Sequence, residues 1–306
     1  MSRALALAAA VLLAGVAAGA LDARKPATVE GWERVASLSQ RRSYLAAAVL
    51  GGRIYAAGGM VGESGRPLAT VSRYDPRRDV WKTVAPLPEP TRAAAAATLG
   101  GRIVVAGGTT AAGNVRTVEA LDPVKDEWRR LAPLPEPRYN HRLVALGGLL
   151  YALGGADRGR ERRDVFVYDP RADRWRRGTP LPRPVHAFGA VAFRGELWVV
   201  GGRRGEDVLR EVWILDPRTG RWRRGPAMPK PMELLGLAAA GDALHAVWES
   251  TYQVYDASTG RWHSGPHPTV TRHALQAFVL DGSLYAVGGC TTALSDSPIV
   301  ERLRVA

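Results

Sequence analysis

The segment "GGRIYAAGG" at residues 51–59 decides the fold, because the chain repeats it. It returns as "GGRIVVAGG" (100–108), "GGLLYALGG" (147–155), "RGELWVVGG" (194–202) and "DGSLYAVGG" (281–289), with a degenerate copy "GDALHAVWE" at 241–249. A second signal follows each of the first five copies: "YDPRRDVW" (74–81), "LDPVKDEW" (121–128), "YDPRADRW" (168–175), "LDPRTGRW" (215–222) and "YDASTGRW" (255–262). Trp81, Trp128, Trp175 and Trp222 are 47 residues apart, and Trp262 follows after 40. A fixed period of this length marks a repeat architecture.

Each unit reads as four short strands. Strand a is a run of small apolar residues such as "AAAAATL" (93–99), and strand b is the aliphatic run that ends in the glycine pair. Strand c alternates, as in "DVFVYD" (164–169), and strand d starts at the tryptophan. Asp-Pro-x-x-Asp/Gly between c and d is tight-turn chemistry, with Asp or Gly taking the positive φ before the Trp strand. Proline-rich stretches such as "APLPEP" then separate the units, since proline cannot continue a sheet. The period is nowhere helical.

The double glycine closing strand b, the aromatic near the end of strand c and the Trp opening strand d resemble the Kelch-repeat family over residues 31–306. That resemblance implies an all-β fold, a β-propeller with one four-stranded blade per repeat. Six glycine-pair segments but only five Asp-to-Trp segments follow in order, and the sixth unit stops at "PIVERLRVA" (298–306). The missing strand is "GWERVASLS" (31–39), which matches "VWKTVAPLP" (80–88). The expectation is a single six-bladed propeller closed by its own N-terminal strand, with Trp32 serving the last blade.

Upstream of that strand, Arg3 and the apolar run at 4–20 end in Ala18-Gly19-Ala20, the small–x–small form that signal peptidase cuts. Residues 1–20 are read as a signal peptide, with an uncleaved anchor as the alternative, and 21–30 as a linker. The expected product is a secreted or periplasmic monomer without a stable membrane anchor. Cys290 is the only cysteine, so no internal disulfide is available to it. The net charge is +13, and only four of the 42 basic residues are lysines. The arginines recur at every repeat instead of clustering, which points to solvated outer strands and away from a nucleic-acid partner.

Aligning the repeats on their first glycines gives two rings of equivalent positions. Ser43, Arg92, Tyr139, His186, Glu233 and His273 start the six a strands, and Met60, Thr109, Ala156, Arg203, Ser250 and Cys290 follow the b strands. Arg42, Thr91, Arg138, Val185, Met232 and Arg272 precede the first ring. The polar, varied members Arg92, Tyr139, His186, Glu233, Arg272 and His273 are the candidate ligand-binding residues at the channel mouth. In blade five Trp248-Glu249 replaces the glycine pair, and almost no loop joins b to c, which should lower the rim beside Glu233.

The function expected is binding of a protein or an anionic glycan, with no cofactor and no metal. Enzymes also occur on this fold. The nearest catalytic alternative is a sugar mutarotase similar to the N-acetylneuraminate enzymes, with Glu233, His186 and His273 as candidate acid–base groups. A more distant one is a copper radical oxidase similar to galactose oxidase, for which Cys290, Tyr139, His186 and His273 are the right residue types.

Overall fold

A computed structural model describes residues 31–291 and 295–305; the expected signal peptide, its cleavage site and the linker lie outside them. Among the described residues there is no helix, and therefore none long and apolar enough to cross a membrane. The strands form six antiparallel four-stranded sheets. In blade one, strand a (Ala46–Leu50) pairs with b (Arg53–Ala57), b with c (Val71–Asp75) and c with d (Val80–Val84). Blades two to five repeat this order.

Blade six closes as the repeat count requires. Its a strand (Gln276–Leu280) pairs with b (Ser283–Val287) and b with c (Val300–Arg304). The fourth strand is Glu33–Val35, antiparallel to c with Glu33 opposite Arg302 and Val35 opposite Val300. Six apolar clusters fill the six wedges between neighbouring blades. The wedge between blades five and six includes Trp32 beside Tyr252, and that between six and one includes Leu38 and Tyr285. A lone sheet of this length leaves both faces wet; radial stacking buries both.

The motif residues explain themselves in this frame. Every strand-d tryptophan donates its indole N–H to a carbonyl of the preceding blade: Trp81 to Ala36, Trp128 to Ala85, Trp175 to Ala132, Trp222 to Thr179, Trp262 to Pro226 and Trp32 to Pro266. A buried indole needs an acceptor, so each Trp both fills the outer wedge and ties two blades together. In blades one to five the turn residue before the d strand has positive φ, as expected: Asp79, Asp126, Asp173, Gly220 and Gly260. Where it is aspartate, the side chain also accepts from a backbone N–H of the preceding blade, at Ala36, Ala85 and Ala132.

The glycine pair marks close approach between blades. A Cβ on Gly58 would lie 2.3 Å from the Thr91 carbonyl oxygen of the next blade, and one on Gly59 would lie 2.7 Å from the Ser43 oxygen. Both residues also have positive φ, so glycine is required twice over. The gap so preserved lets the Gly59 N–H donate to Thr91, a bond repeated at Gly108, Gly155, Gly202 and Gly289.

Candidate functional site

The residues two positions before each a strand converge on the axis. Tyr44, Ala93, Asn140, Ala187, Leu234 and Ala274 all have left-handed backbone, with φ between 47° and 58°. Each of their N–H groups donates to the carbonyl of its counterpart in the preceding blade, at 2.6 to 3.3 Å, with Tyr44 donating back to Ala274. Six peptide groups thus form a closed hydrogen-bonded collar around the axis. Non-glycine residues at positive φ carry strain, and here the collar holds them there.

Around the collar, the two rings of positions read from the sequence sit side by side. Backbone bridges join Ser43 to Met60, Arg92 to Thr109, Tyr139 to Ala156, His186 to Arg203 and His273 to Cys290. The side chains at these positions surround two cavities that share Tyr44 and Asn140. One, of about 410 Å³, is lined by His186, Arg203, Glu233, Trp248, Glu249 and His273. The other, of about 450 Å³, is lined by Met60, Arg92, Thr109, Asn114, Tyr139 and Arg158. Both volumes fall within the range of small-molecule and peptide-side-chain sites.

The first lobe is acidic and imidazole-rich. Glu233 is 2.8 Å from the Arg203 guanidinium, an ion pair at the mouth instead of a free carboxylate. Glu249 has no such partner among the described residues. His186 Nδ1 stands 3.9 Å from Glu161 and accepts no hydrogen bond. Burial lowers the His186 pKa, opposed by Glu161 and Glu233, so its ring is neutral at pH 7. Glu161 is itself held below the usual carboxylate range by the Gly205 N–H, 2.7 Å away.

His273 Nε2 lies 3.0 Å from the Cys290 sulfur. Burial, then the charge of Asp296, pushes that thiol up to about 11, so it is protonated at neutral pH. Asp296 is occupied in turn, accepting from Ser43 Oγ at 2.6 Å and from the Gly62 N–H at 2.7 Å. Cys290 is therefore joined to His273, while Tyr139 lines the opposite lobe. The residues considered for a copper radical centre are divided between the two lobes.

The second lobe is cationic. Arg92 Nη1 rests 3.3 Å from Met60 Sδ beneath the Gly65 backbone, where a Cβ would come within 2.4 Å of it. Arg92 has no carboxylate partner among the described residues. Tyr44 stands between the lobes, its hydroxyl pushed up to about 12 by burial and by Cys290 and Glu233, against the pull of Arg92.

The structure brings Arg92, Tyr139, His186, Glu233 and His273 to the mouth. Arg272 does not belong there. Its side chain is fully buried inside blade six, where Nη1 donates to the Gly288 and Ile299 carbonyls and Nη2 lies 2.6 Å from Glu301. Adjacent residues of an extended chain point to opposite sides, so the position before His273 turns into the blade. Arg42 and Arg138 do the same in blades one and three, and the Arg138 guanidinium lies 4.6 Å over the Phe166 ring.

Several mouth residues were not singled out from the sequence, among them Tyr44, Asn140 and Glu249, and in the second lobe Asn114 and Arg158. Tyr44 and Asn140 sit one residue beyond the aligned ring, and their signal was the regular spacing of the collar positions. Glu249 was visible only as a broken glycine pair. It keeps the pair's inter-blade bond, donating its N–H to Arg272 at 2.7 Å with φ 51°, and adds a carboxylate to the lobe. Blades one to four carry a two-stranded ribbon between b and c, whereas in blade five Ala243–Trp248 passes straight into Thr251–Asp256. Among blades one to five, the b–c connection is shortest in blade five, on the side of Glu249.

Comparison with known families supports the repeat reading. The KLHDC2/KLHL20/DRC7 Kelch-repeats domain model matches residues 44–244, from the collar of blade one to strand b of blade five. No curated protein matches the chain. With that match over more than half its length, and with each matched repeat forming one blade, the chain belongs to the Kelch-repeat propellers.

Proposed function

We propose that the chain is a non-catalytic interaction module that grips a partner at the two-lobed mouth. Kelch propellers are commonly protein-interaction modules, and a polar, preformed depression on a rigid ring suits that role. The observation that carries the reading is the meeting of an unpaired guanidinium, Arg92, and an unpaired carboxylate, Glu249, in adjoining lobes across Tyr44 and Asn140. A partner chain with an acidic group for the first and a donor group for the second fits this pattern. An extended peptide of another protein is the favoured class and an acidic glycan the other. Action after export is part of the same proposal, supported by the apolar leader at 4–20.

Arrays of peptides and of acidic glycans probed with wild type, Arg92→Glu and Glu249→Lys test it. Ligands captured by wild type should be lost from both variants, and their capture should weaken with salt because the contacts are ionic. Retention of every wild-type ligand by both variants would refute the assignment of the mouth.

A sugar-mutarotase reading is favoured by one observation: the neutral, unpartnered His186 shares its cavity with Glu233. Its measure is anomer exchange of N-acetylneuraminate followed by NMR. Acceleration by wild type that is lost in Glu233→Gln would make this the function; no acceleration leaves the binding module.

A further inference from the structure

Beneath the collar the axis of the propeller is hollow. The middle and end of each a strand line a channel of about 350 Å³ that runs toward the a–b turns, on the face opposite the mouth. Its lining side chains are mostly aliphatic, at Ala47–Val49, Ala96, Ala97, Leu143–Ala145, Ala190–Ala192, Leu237–Ala239, Ala277 and Val279, with the aromatic Phe278 among them, and polar atoms share the exposed surface. Thr98 also lines it, but its hydroxyl is spent on the Val49 carbonyl at 2.6 Å.

The end nearest the collar is different. Two positions beyond the collar residues, the six blades carry Ala46, Ala95, Arg142, Gly189, Gly236 and Gln276. Four of these are small, and the two long polar side chains occupy the space they leave. Arg142 reaches across two blades, donating from Nε to Phe188 at 2.8 Å and from Nη2 to Leu235 at 2.9 Å. Gln276 donates to Leu45 at 3.1 Å, which leaves its carbonyl oxygen uncommitted. Both line the channel cavity and the small gap under the collar, so together they close the channel at that end.

Arg142 differs from the fully buried Arg42, Arg138 and Arg272 in being only half-buried. Arg272 has Glu301 beside it, and Arg42 has both terminal nitrogens bonded, to Thr70 and Ser72. Among the described residues Arg142 Nη1 has no partner and no carboxylate forms an ion pair with the guanidinium. Burial pushes its pKa down to about 10 with nothing offsetting. A half-buried guanidinium with no carboxylate beside it, on the lining of a cavity, leaves a charged donor available to a ligand. The charge complement of that arrangement is a single anion, and the wall's complement is a hydrocarbon chain.

We propose that the axial channel binds a straight-chain carboxylate of the fatty-acid type, its head group at Arg142 and Gln276 and its tail along the a strands. A carboxylate can take a charge-assisted bond from Nη1 at the closed end. The tail displaces water from a mostly aliphatic wall, where each buried methylene contributes about 0.8 kcal/mol. The site is separate from the mouth, because the collar lies between them.

Isothermal titration of the full chain with dodecanoate, dodecan-1-ol and acetate at pH 8 tests the proposal. Dodecanoate should bind one-to-one, with the alcohol and acetate each at least tenfold weaker. Arg142→Met should reduce dodecanoate to the level of the alcohol. Should that variant fail to fold, Ala239→Phe keeps Arg142 but fills the channel, and it should abolish binding. Equal affinity for acid and alcohol, dodecanoate binding that survives Ala239→Phe, or no dodecanoate binding to wild type would each overturn it.

Discussion

At the scale of single residues, Arg272 shows where reading a strand start by type alone goes astray. An arginine beside a polar ring looks like a ligand contact, yet a one-residue step sends its side chain into the blade, against Glu301. The Glu301 carboxylate also accepts from the Thr269 N–H at 2.8 Å, so both of its oxygens are engaged at zero exposure. Arg272→Met strands that carboxylate in the interior and should cost about 3–5 kcal/mol, read by urea denaturation. A variant within about 1 kcal/mol of wild type would show that the ion pair contributes little. Histidines give a second residue-scale prediction. Burial lowers His245 from its ordinary value to about 4, and His141, fully buried beside Arg138 and Arg142, well below 6.5. The unfolded chain therefore takes up these protons first. The stability they carry is complete above about pH 6.5 and is lost as pH falls toward 4, at up to about 1.4 kcal/mol per pH unit for each histidine. Denaturation at pH 7, 6 and 5 should show His245→Gln with a shallower acid slope than wild type; parallel slopes would mean the ring is not kept neutral by the fold.

Elements were the most legible level, because their chemistry is local. The glycine pairs, the positive-φ residue before each Trp and the alternation of strand c are all fixed by backbone geometry within a few residues, and the structure keeps each where the motif put it. The mouth was legible only in part. Which residues begin the a strands follows from alignment, but which way each side chain turns depends on the neighbouring blade. Tyr44 and Asn140 escaped notice for that reason, and Arg142 did because four of its five counterparts are alanine or glycine. The element with the sharpest consequence is Glu33–Val35. It covers the edge of Val300–Arg304, and its flanking Trp32 and Leu38 enter the wedges on either side of blade six. Deleting residues 21–39 removes a buried Trp, worth about 3–5 kcal/mol by itself, and bares a strand edge. The melting temperature should fall by about 10 °C or more, since 1 kcal/mol corresponds to about 2–4 °C in a chain of this size. An unchanged melting temperature in the truncated protein would contradict the closure.

Over the whole molecule, two hydrogen-bonded circuits run in the same sense. At the axis each blade's collar N–H donates to its predecessor, and at the rim each Trp does likewise. The number of blades was readable from counting repeats, because an unpaired strand at one end of the chain and a missing strand at the other have one mutual solution. The collar circuit was not readable, since Tyr44, Ala93, Asn140, Ala187, Leu234 and Ala274 share no motif beyond their place in the repeat, and the tryptophans of the rim circuit were readable while their acceptors were not. The two circuits impose arithmetic on the molecule. A loop of donors and acceptors with no free member has no hinge, so its bore is set by an integer and cannot be tuned by degrees. Admitting a wider partner would take a seventh repeat, whereas changing which partner is admitted takes only new side chains on the same six spokes. Change at this mouth that keeps the bore is limited to side chains and to the length of the b–c connections, as the short connection of blade five illustrates.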